Sequence, residues 1–348
     1  MTAGRAANES ETCGGLASRE AGGFLRAMPA VSVLMVFHRD TPFLRPAIAS
    51  VVAQTWTDWE LVLVDNGTGL APEALGEIGR DPRLRWVRLP RNEGIGAGHN
   101  AGVAAARGEF LALLDYDDVM TPTRLERQVA RLRAEPALGL VSARAESIDA
   151  TGRVTGREFS LDDGEAQRAY TQYAAPVVTP AFAGRRDVFA ALPYRAEFSW
   201  TADFDFLARA AERWPMAAVP EVLLQYRHHP GQTTQVKAAQ IAAERCAVRL
   251  FTARRRAGRA EGGLPSVGAK ASSGEVLRTY ARVCLTERFP VLAAYHARRS
   301  LAEERTLRSL VMAGRIYAAV RREAGAEATL VRRMFFSGPV RALGLRPS

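Results

Sequence analysis

Short apolar runs alternate with segments of helical spacing over the first part of the chain. Four apolar runs bounded by polar or turn residues are typical of buried strands: Val31–Phe37, Glu60–Val64, Leu84–Leu89 and Phe110–Leu114. Three segments between or after them are predicted as helices, Pro46–Gln54, Glu73–Gly79 and Thr123–Ala134. Gly94–Arg107 is first glycine-rich and then alanine-rich, which predicts a loop that opens a helix. Because strands that alternate with helices form parallel sheets, we predict an α/β domain with a mostly parallel sheet flanked by helices.

The alternation continues less regularly beyond this point. Leu138–Ser147 and Ala218–Tyr226 are apolar enough for strands, Asp149–Gly152 resembles a hairpin turn, and Ala202–Arg213 has helical spacing. From Val236 onward the chain reads as helices rich in Ala, Arg and Leu. Three regions are therefore predicted, a disordered N-terminal tail, an α/β domain and a helical extension with a linker near 258–274, over residues 1–29, 30–234 and 235–348.

Composition narrows the class of protein. The 348 residues are 47% hydrophobic, enough for one large domain and an extension. Cys13, Cys246 and Cys284 lie far apart and match no metal spacing, and their odd number suits a reducing compartment. The first residues lack the apolar segment of a signal peptide, and no run of 18 apolar residues occurs. These features predict a cytoplasmic protein.

The positive charge of the chain is confined to its C-terminal third. Residues 235–348 contain 22 Lys and Arg against 8 Asp and Glu, a net charge of +14, whereas residues 1–234 contain 25 against 29, a net of −4. This distribution argues against nucleic acid as the partner of the α/β domain. It predicts peripheral contact of the basic extension with the inner face of a membrane. A set of solvated, Arg-rich helix faces explains the charge equally well.

Polar residues gather where the predicted strands end. His38 follows the first strand, Asp65-Asn66 ends the second, and Asp115-Tyr-Asp117-Asp118 follows the fourth. Ligands of open α/β sheets bind beyond the carboxyl ends of the strands. Three carboxylates within four residues repel one another unless a cation neutralises them, and oxygen ligands suit Mg²⁺ or Mn²⁺. A solvated acidic turn is the alternative interpretation.

A series of short segments lies in order along residues 30–234. The series begins around Val31–Arg39 and Ala49–Gly67. Further pieces follow: Asn92-Glu-Gly94, Asn100-Ala-Gly102, Ala106-Arg-Gly-Glu109, Leu114-Asp-Tyr-Asp-Asp118, Pro122-x-Arg124-Leu125, Asp203-Phe-Asp-Phe-Leu and Tyr226-Arg-His-His229. With these segments in this order, the chain resembles family 2 glycosyltransferases, which have the GT-A fold. The resemblance implies transfer of a sugar from a nucleotide-diphosphate sugar to a carbohydrate, lipid-linked or protein acceptor, in cell-surface polysaccharide or glycoconjugate synthesis.

The resemblance also assigns donor-binding residues. Asp117 matches the family's metal-binding aspartate, and Asp115 lies near the donor ribose. The family reads the nucleotide base at Asp65 and Asn66, where the second residue is more often Asp, and an Asn-Gly turn is the alternative for Asn66. Among the remaining donor-binding candidates, His38 and His99 replace the usual Tyr and Arg, and His229 is the residue that closes over the diphosphate. For His99 and His229, a satisfied helix-start histidine and a surface-loop residue are the respective alternatives.

Asp203 matches the family's catalytic base. The family motif is usually Glu-Asp, whereas this chain has Ala202-Asp203. A carboxylate here would take the proton of the acceptor hydroxyl as its oxygen attacks the anomeric carbon, with inversion. An N-terminal helix carboxylate favoured by the helix dipole is the alternative. Asp205 points elsewhere on the helix and is interpreted as structural.

Three other functions are weighed against this one. A metal-dependent nucleotidyltransferase would carry a glycine-rich, basic loop after the first strand, and Phe37–Pro42 lacks the glycines. A non-catalytic nucleotide-sugar-binding relative is consistent with the departures at His38 and Ala202. The glycine-rich Gly94–Gly102 superficially suggests a nicotinamide site, but an acidic ribose ligand about 20 residues on is missing.

Overall fold

The computed structural model describes residues 28–157, 178–263, 265, 271–304 and 306–323. Its strands are β1 Val31–Phe37, β2 Trp59–Asn66, β3 Leu84–Leu89, β4 Phe110–Leu113, β5 Val119–Met120, β6 Leu140–Ile148, β7 Val154–Arg157, β8 Ala183–Arg185 and β9 Met216–Arg227. Its α-helices are α1 Leu44–Val52, α2 Ile95–Ala105, α3 Arg124–Ala134, α4 Arg186–Ala191, α5 Ala202–Arg213, α6 Thr233–Val236, α7 Ala238–Arg256, α8 Ser273–Thr286, α9 Pro290–Glu303 and α10 Leu307–Glu323. Two 3-10 helices span Pro72–Arg80 and Thr179–Ala181.

The strands form one mixed sheet in the order β3-β2-β1-β4-β8-β6-β9-β5, with β7 paired to β6. The strands β1 to β4 pair with one another in parallel, as predicted. The other half is mixed: β8 is antiparallel to both β4 and β6, and β6 is parallel to β9. The difference arises because β8 has only three residues and enters between β4 and β6, and so short a strand leaves no hydrophobic period in the sequence.

Position in the sheet explains the hydrophobic patterns. The central β1 and β2 are buried on both faces and are accordingly continuous apolar runs. At the edge of the sheet, β3 is only half-buried, and its two exposed residues are Arg85 and Arg88. The segment predicted as a short helix at Glu73–Gly79 is a 3-10 helix broken at Gly76, which has a φ of 68°. A positive φ interrupts helical hydrogen bonding, and glycine permits it without strain.

Helix α2 packs directly on the sheet through its glycines. A Cβ atom at Gly98 would lie 2.5 Å from Cγ1 of Val36, and one at Gly102 would lie 2.0 Å from Cδ1 of Leu34. Both distances are too short for any side chain, so glycine is what allows the helix to approach β1. The glycine-rich segment therefore serves close packing, which agrees with the rejection of a nicotinamide site.

The helices of the C-terminal extension share a hydrophobic core with the α/β domain. Side chains of α7, α8 and α9 pack in one cluster with those of α5 and the inner face of the sheet. Ion pairs reinforce the junction, with Arg255 on α7 joined to Glu212 on α5 at 2.9 Å and Arg195 joined to Glu261 at 2.7 Å. No helix in the described part of the chain is long and apolar enough to span a membrane. The predicted tail up to residue 27 and, within the predicted linker, residues 264 and 266–270 lie outside the described residues.

Candidate active site

The carboxyl ends of β1, β2, β4 and β9 meet at one edge of the sheet. This edge carries His38 after β1, Asp65 and Asn66 at the end of β2, the acidic turn after β4 and His229 after β9. Asp203 joins them from the first turn of α5. The fold thus brings the residues predicted from separate motifs to one face of the molecule.

Three carboxylates crowd the turn after β4. Oxygens of Asp115, Asp117 and Asp118 lie within 4.8 Å of one another. Burial, together with the charges of Asp117 and Asp203, raises the pKa of Asp115 well above its usual value. Burial and the charges of Asp117 and Asp115 do the same to the pKa of Asp118. The cluster therefore resists full ionisation until a positive charge joins it.

Arg124 compensates part of this charge from inside the protein. Its side chain is fully buried, and its Nη2 donates to the carbonyls of Leu113 at 2.9 Å and Phe182 at 3.3 Å. Burial lowers its pKa to about 9, against the opposing charges of Asp118 and Asp115. Arg124 belongs to a segment that resembles the family, but the sequence predicted no role for it. A charged residue at a core position of an amphipathic helix was the signal that could have identified it.

Arg227 fixes the backbone of the acidic turn. Its amide donates to Oδ1 of Asp118 at 2.8 Å, and its Nε donates to the carbonyl of Asp117 at 2.7 Å. The other oxygen of Asp118, Oδ2, is buried and has no hydrogen-bond partner in the described structure. A buried carboxylate oxygen without a donor is costly, so this atom fits a cation or a proton.

His229 lies directly against the acidic turn. Its Nε2 is 3.0 Å from Oδ2 of Asp117, and its ring packs at 4.6 Å from that of Phe43. Arg39 ties this loop to the turn, because its Nε donates to the Tyr116 hydroxyl at 3.1 Å and its Nη2 to the Gly231 carbonyl at 3.2 Å. His229 and Asp117 can therefore contact the same ligand, and the loop that carries His229 is held in place over it.

Asp65 and Asn66, the two residues predicted to read the base, form hydrogen bonds and an ion pair within the chain. Oδ1 of Asp65 accepts from the amide and hydroxyl of Thr68, both at 2.7 Å. Its Oδ2 lies 3.6 Å from Arg88. Asn66 donates to Asn92 Oδ1 and the Gly94 carbonyl and accepts from the Glu93 amide. In this geometry Asn66 holds the 92–94 loop, and Oδ2 of Asp65 is the less engaged oxygen.

His38 and His99, the two histidines that replace other residues of the family, differ in exposure. His38 is exposed, and its ring meets that of Tyr116 edge-on at 5.8 Å, so one face can accept a planar ligand. His99 is buried in α2, where Nδ1 lies 2.9 Å from the Ile95 carbonyl and the ring stacks on Tyr194 at 4.6 Å. Burial lowers the pKa of His99, so it remains neutral. Its described contacts are those of a satisfied helix histidine.

Asp203 and Asp205 have different surroundings on the same helix. Asp203 is part-exposed at the start of α5, and its Oδ1 accepts from the Phe204 amide at 2.8 Å. Asp205 is fully buried and forms ion pairs with Arg195 and Arg209. One oxygen of Asp203 therefore remains for an acceptor hydroxyl, whereas Asp205 holds the loop before the helix.

Close packing accounts for the small residue before Asp203. Ala202 is fully buried, and a Cβ atom at Gly96 would lie only 3.4 Å from Cβ of Ala202. The start of α2 and the start of α5 thus contact each other at two small residues. A glutamate at position 202, as the family motif usually has, would place its side chain in this buried position.

Comparisons with known proteins agree with this geometry. Residues 32–192 match the model of glycosyl transferase family 2. Uncharacterized glycosyltransferase MJ1057 of Methanocaldococcus jannaschii is 29% identical over 206 residues, which are 57% of this chain and 71% of the relative. The succinoglycan biosynthesis protein ExoO of Rhizobium meliloti is 38% identical over 110 residues, which are 32% of each chain. The chain therefore spans about a third of ExoO.

A solved structure has the same fold over most of the chain. The crystal structure of residues 1–349 of S. aureus TarS in complex with UDP-GlcNAc aligns with a TM-score of 0.55 and 13% sequence identity. The alignment covers 84% of this chain and 91% of that chain. At this identity the likeness establishes the fold, and it extends past the strands into the helical C-terminal region.

Proposed function

We propose that this chain, whose residues 32–192 match the model of glycosyl transferase family 2, moves a sugar from a nucleotide-diphosphate sugar to an acceptor hydroxyl in polysaccharide or glycoconjugate synthesis. The observation that carries the proposal is the convergence of Asp65, the acidic turn, His229 and Asp203 near the carboxyl ends of the strands. ExoO is named for succinoglycan biosynthesis, which supports a polysaccharide product. TarS was crystallised with UDP-GlcNAc, which makes UDP-sugars the first donors to test.

A divalent cation, Mn²⁺ or Mg²⁺, fits the acidic turn. Asp117 would hold it, together with Asp115 or the unpartnered Oδ2 of Asp118. Such a cation supplies positive charge that stabilises a departing diphosphate. Arg124 binds the carbonyl of Leu113 just before the turn, and the amide of Arg227 binds Oδ1 of Asp118, so both arginines would keep the turn in position. The raised pKa values of Asp115 and Asp118 support this fit, because a cation removes their repulsion.

The chain's own residues would orient the donor. His38 offers a ring face for the base, and Oδ2 of Asp65 offers an acceptor for a base N–H. The geometry gives Asn66 a supporting part, because it holds the 92–94 loop beside the base position. His229, next to Asp117, would donate a hydrogen bond to the diphosphate. His99 would support the donor side from within α2.

Asp203 would act as the base. Its free oxygen takes the proton of the acceptor hydroxyl while that oxygen forms the bond to the anomeric carbon and the bond to the diphosphate breaks. The other nearby carboxylate on α5, Asp205, is held in two ion pairs and does not face the acceptor. A single displacement with inversion is therefore the mechanism that the arrangement favours.

Release of nucleoside diphosphate tests the proposal. The full chain is incubated with Mn²⁺ and a panel of UDP-, GDP- and dTDP-sugars, with and without mixed glycan acceptors. We expect slow donor hydrolysis with one class of nucleotide and faster release when an acceptor is present. Binding of a nucleotide sugar without any turnover would identify a non-catalytic relative. Release of pyrophosphate from a nucleoside triphosphate would instead identify a nucleotidyltransferase.

A further inference from the structure

Helix α7 of the C-terminal extension reaches the part of the site where Asp203 lies. Glu244 on this helix accepts hydrogen bonds from the amides of Ser199, Trp200 and Thr201 at 2.8 to 3.1 Å. Thr201 is the residue before α5, so Glu244 fixes the start of the helix that carries Asp203. The next residue of α7, Arg245, also contacts α5.

That next residue is Arg245, a mostly buried arginine without a carboxylate partner. Its guanidinium lies over the ring of Phe204, 5.8 Å from the centroid, and Phe204 directly follows Asp203. Its Nε is buried and makes no hydrogen bond, and no ion pair within 4.0 Å joins it to the described part of the chain. Burial and Arg249 lower its pKa, while the charge of Asp203 opposes them.

Two other arginines of α7 are paired with carboxylates. Arg254 pairs with Glu287 at 2.5 Å, and Arg255 pairs with Glu212 at 2.9 Å. A largely buried guanidinium without a counter-ion is costly, and the five N–H donors of arginine suit bidentate binding of a phosphate or carboxylate. Unlike Arg254 and Arg255, Arg245 has no such pair among the described residues, and it contacts Phe204, which follows the proposed base.

Trp200 places an exposed aromatic ring near the start of α5. Trp200 is 37% exposed, and Nζ of Lys237 lies 5.2 Å from its ring centroid. Trp200 is held by Glu244 through its amide, three residues before Asp203. Lys237 and Trp200 therefore form a cationic and aromatic pair close to the start of α5. An aromatic face suits the apolar side of a sugar ring.

We propose that Arg245 binds an oxyanion of the acceptor, so that the acceptor is a glycan bearing phosphate or carboxylate groups. This inference rests on the proposed glycosyltransferase function and adds the chemical class of the second substrate. The donor diphosphate has its own proposed position at the acidic turn and His229. The oxyanion would sit at Arg245, with the attacking hydroxyl at Asp203.

Matched acceptors test the inference on the full chain saturated with Mn²⁺ and the preferred nucleoside diphosphate. Calorimetry measures the binding of octyl glycosides in neutral, uronate and sugar-phosphate forms, in the gluco and galacto series. We expect the wild-type chain to bind at least one acidic form about tenfold more tightly than its neutral counterpart. Arg245→Gln should abolish this preference, and Arg245→Lys should keep part of it. The uronate and phosphate arms identify which oxyanion is used.

Arg282→Gln is the control, since it removes one exposed arginine of α8 away from the site. It should leave the preference unchanged, and nucleoside diphosphate should bind all variants alike. The inference is overturned if the wild type binds neutral and acidic forms equally, or if Arg245→Gln keeps the preference. Loss of nucleotide affinity in Arg245→Gln would assign the residue to the donor instead. Failure of the wild type to bind any nucleotide would contradict the proposed function itself.

Discussion

The two ends of the central strands carry buried carboxylates in opposite electrostatic states. At the amino end, Glu60 on β2 accepts from Ser32 at 2.7 Å and from three N–H groups of Arg107 at 2.6 to 2.8 Å. Burial alone would raise its pKa, but the hydrogen bonds from Arg107 and Ser32 outweigh it and lower the pKa. At the carboxyl end, Asp115 and Asp118 are left with raised pKa values.

The two groups of carboxylates differ in how fully the protein compensates their charge. Glu60 is satisfied by the protein itself and contributes to the fold. The acidic turn has partial compensation from Arg124 and Arg227, and Oδ2 of Asp118 has no hydrogen-bond partner among the described residues. A partly compensated acidic cluster at the ligand-binding edge of a sheet is what we expect of a cation site. The same chemical group thus stabilises one end of the sheet and is proposed to bind a cation at the other.

The largest expected effect concerns turnover at the carboxyl end. Asp203→Asn keeps the shape of the residue and removes its basicity, so we expect sugar transfer to slow at least about a hundredfold, or about 2.7 kcal/mol in the barrier. Steady-state kinetics with the preferred donor and calorimetry of the nucleoside diphosphate provide the measurements. Donor affinity should stay unchanged, because the base acts on the acceptor.

Asp205→Asn is the matched control on the same helix. It should reduce stability by weakening the pairs with Arg195 and Arg209 and have much less effect on turnover. If Asp205→Asn abolished transfer while Asp203→Asn did not, the base would be wrongly assigned. A loss of donor affinity in Asp203→Asn would place that residue in the donor site.

Stability should respond in opposite directions at the two ends. Glu60→Gln leaves Arg107 without its counter-ion, so we expect the free energy of unfolding to fall by about 1 to 3 kcal/mol at neutral pH. A lowered carboxyl pKa stabilises above the unfolded value near 4 and loses this contribution as the pH falls. The loss in Glu60→Gln should therefore shrink in acid. Urea denaturation at pH 7 and pH 4 measures both.

The variant to compare with Glu60→Gln is Asp118→Asn, measured at neutral pH in the presence of a chelator. A raised carboxyl pKa means that ionisation costs stability as the pH rises above the unfolded value. Removing the charge should leave the free energy of unfolding unchanged or increase it slightly. A clear loss of stability in Asp118→Asn, equal to that in Glu60→Gln, would show that both carboxylates are structural.

The smallest expected effect concerns the basic extension. With a net charge of +14 over residues 235–348, contact with an anionic surface should be measurable and weaken with salt. Flotation with phosphatidylserine vesicles at low and high salt measures it. Several of these arginines are already paired, for example Arg278 with Glu304 at 2.7 Å, which limits the effect. Replacing the exposed Arg282 and Arg288 by glutamate should reduce the fraction of protein that floats with the vesicles. If the variant and the wild type float equally, the basic helix faces are simply exposed to solvent.

Local patterns predicted most of the fold and the acidic part of the site. The strands β1 to β4 are apolar runs followed by turn residues, and both features lie within a few residues of each other. The positions of Asp115, Asp117 and Asp203 could be predicted for the same reason, since each residue follows or starts a recognisable element. The mixed half of the sheet was not predicted, because β8 is too short to carry a pattern.

The residues that the sequence did not identify act through distant contacts. Arg227 binds the acidic turn across 109 positions of the chain, and Glu244 holds the start of α5 across 43 to 45 positions. Arg124 reads as an ordinary helix residue until its burial is known. Such roles depend on which elements become neighbours in three dimensions. The amide of Asn66 likewise has its observed role only because the 92–94 loop folds back on β2.

Thermal unfolding with nucleoside diphosphates tests the central claim most directly. The full chain is heated with UDP, GDP, CDP or dTDP, in Mn²⁺ or in chelator. We predict that one nucleotide at about 100 times its Kd stabilises the chain by about 2.7 kcal/mol in Mn²⁺ only. The stabilisation should vanish in Asp117→Ala and persist in Glu60→Gln. Equal stabilisation in chelator and in Mn²⁺, with Asp117→Ala behaving like the wild type, would contradict a cation-dependent donor site at the carboxyl end of the sheet.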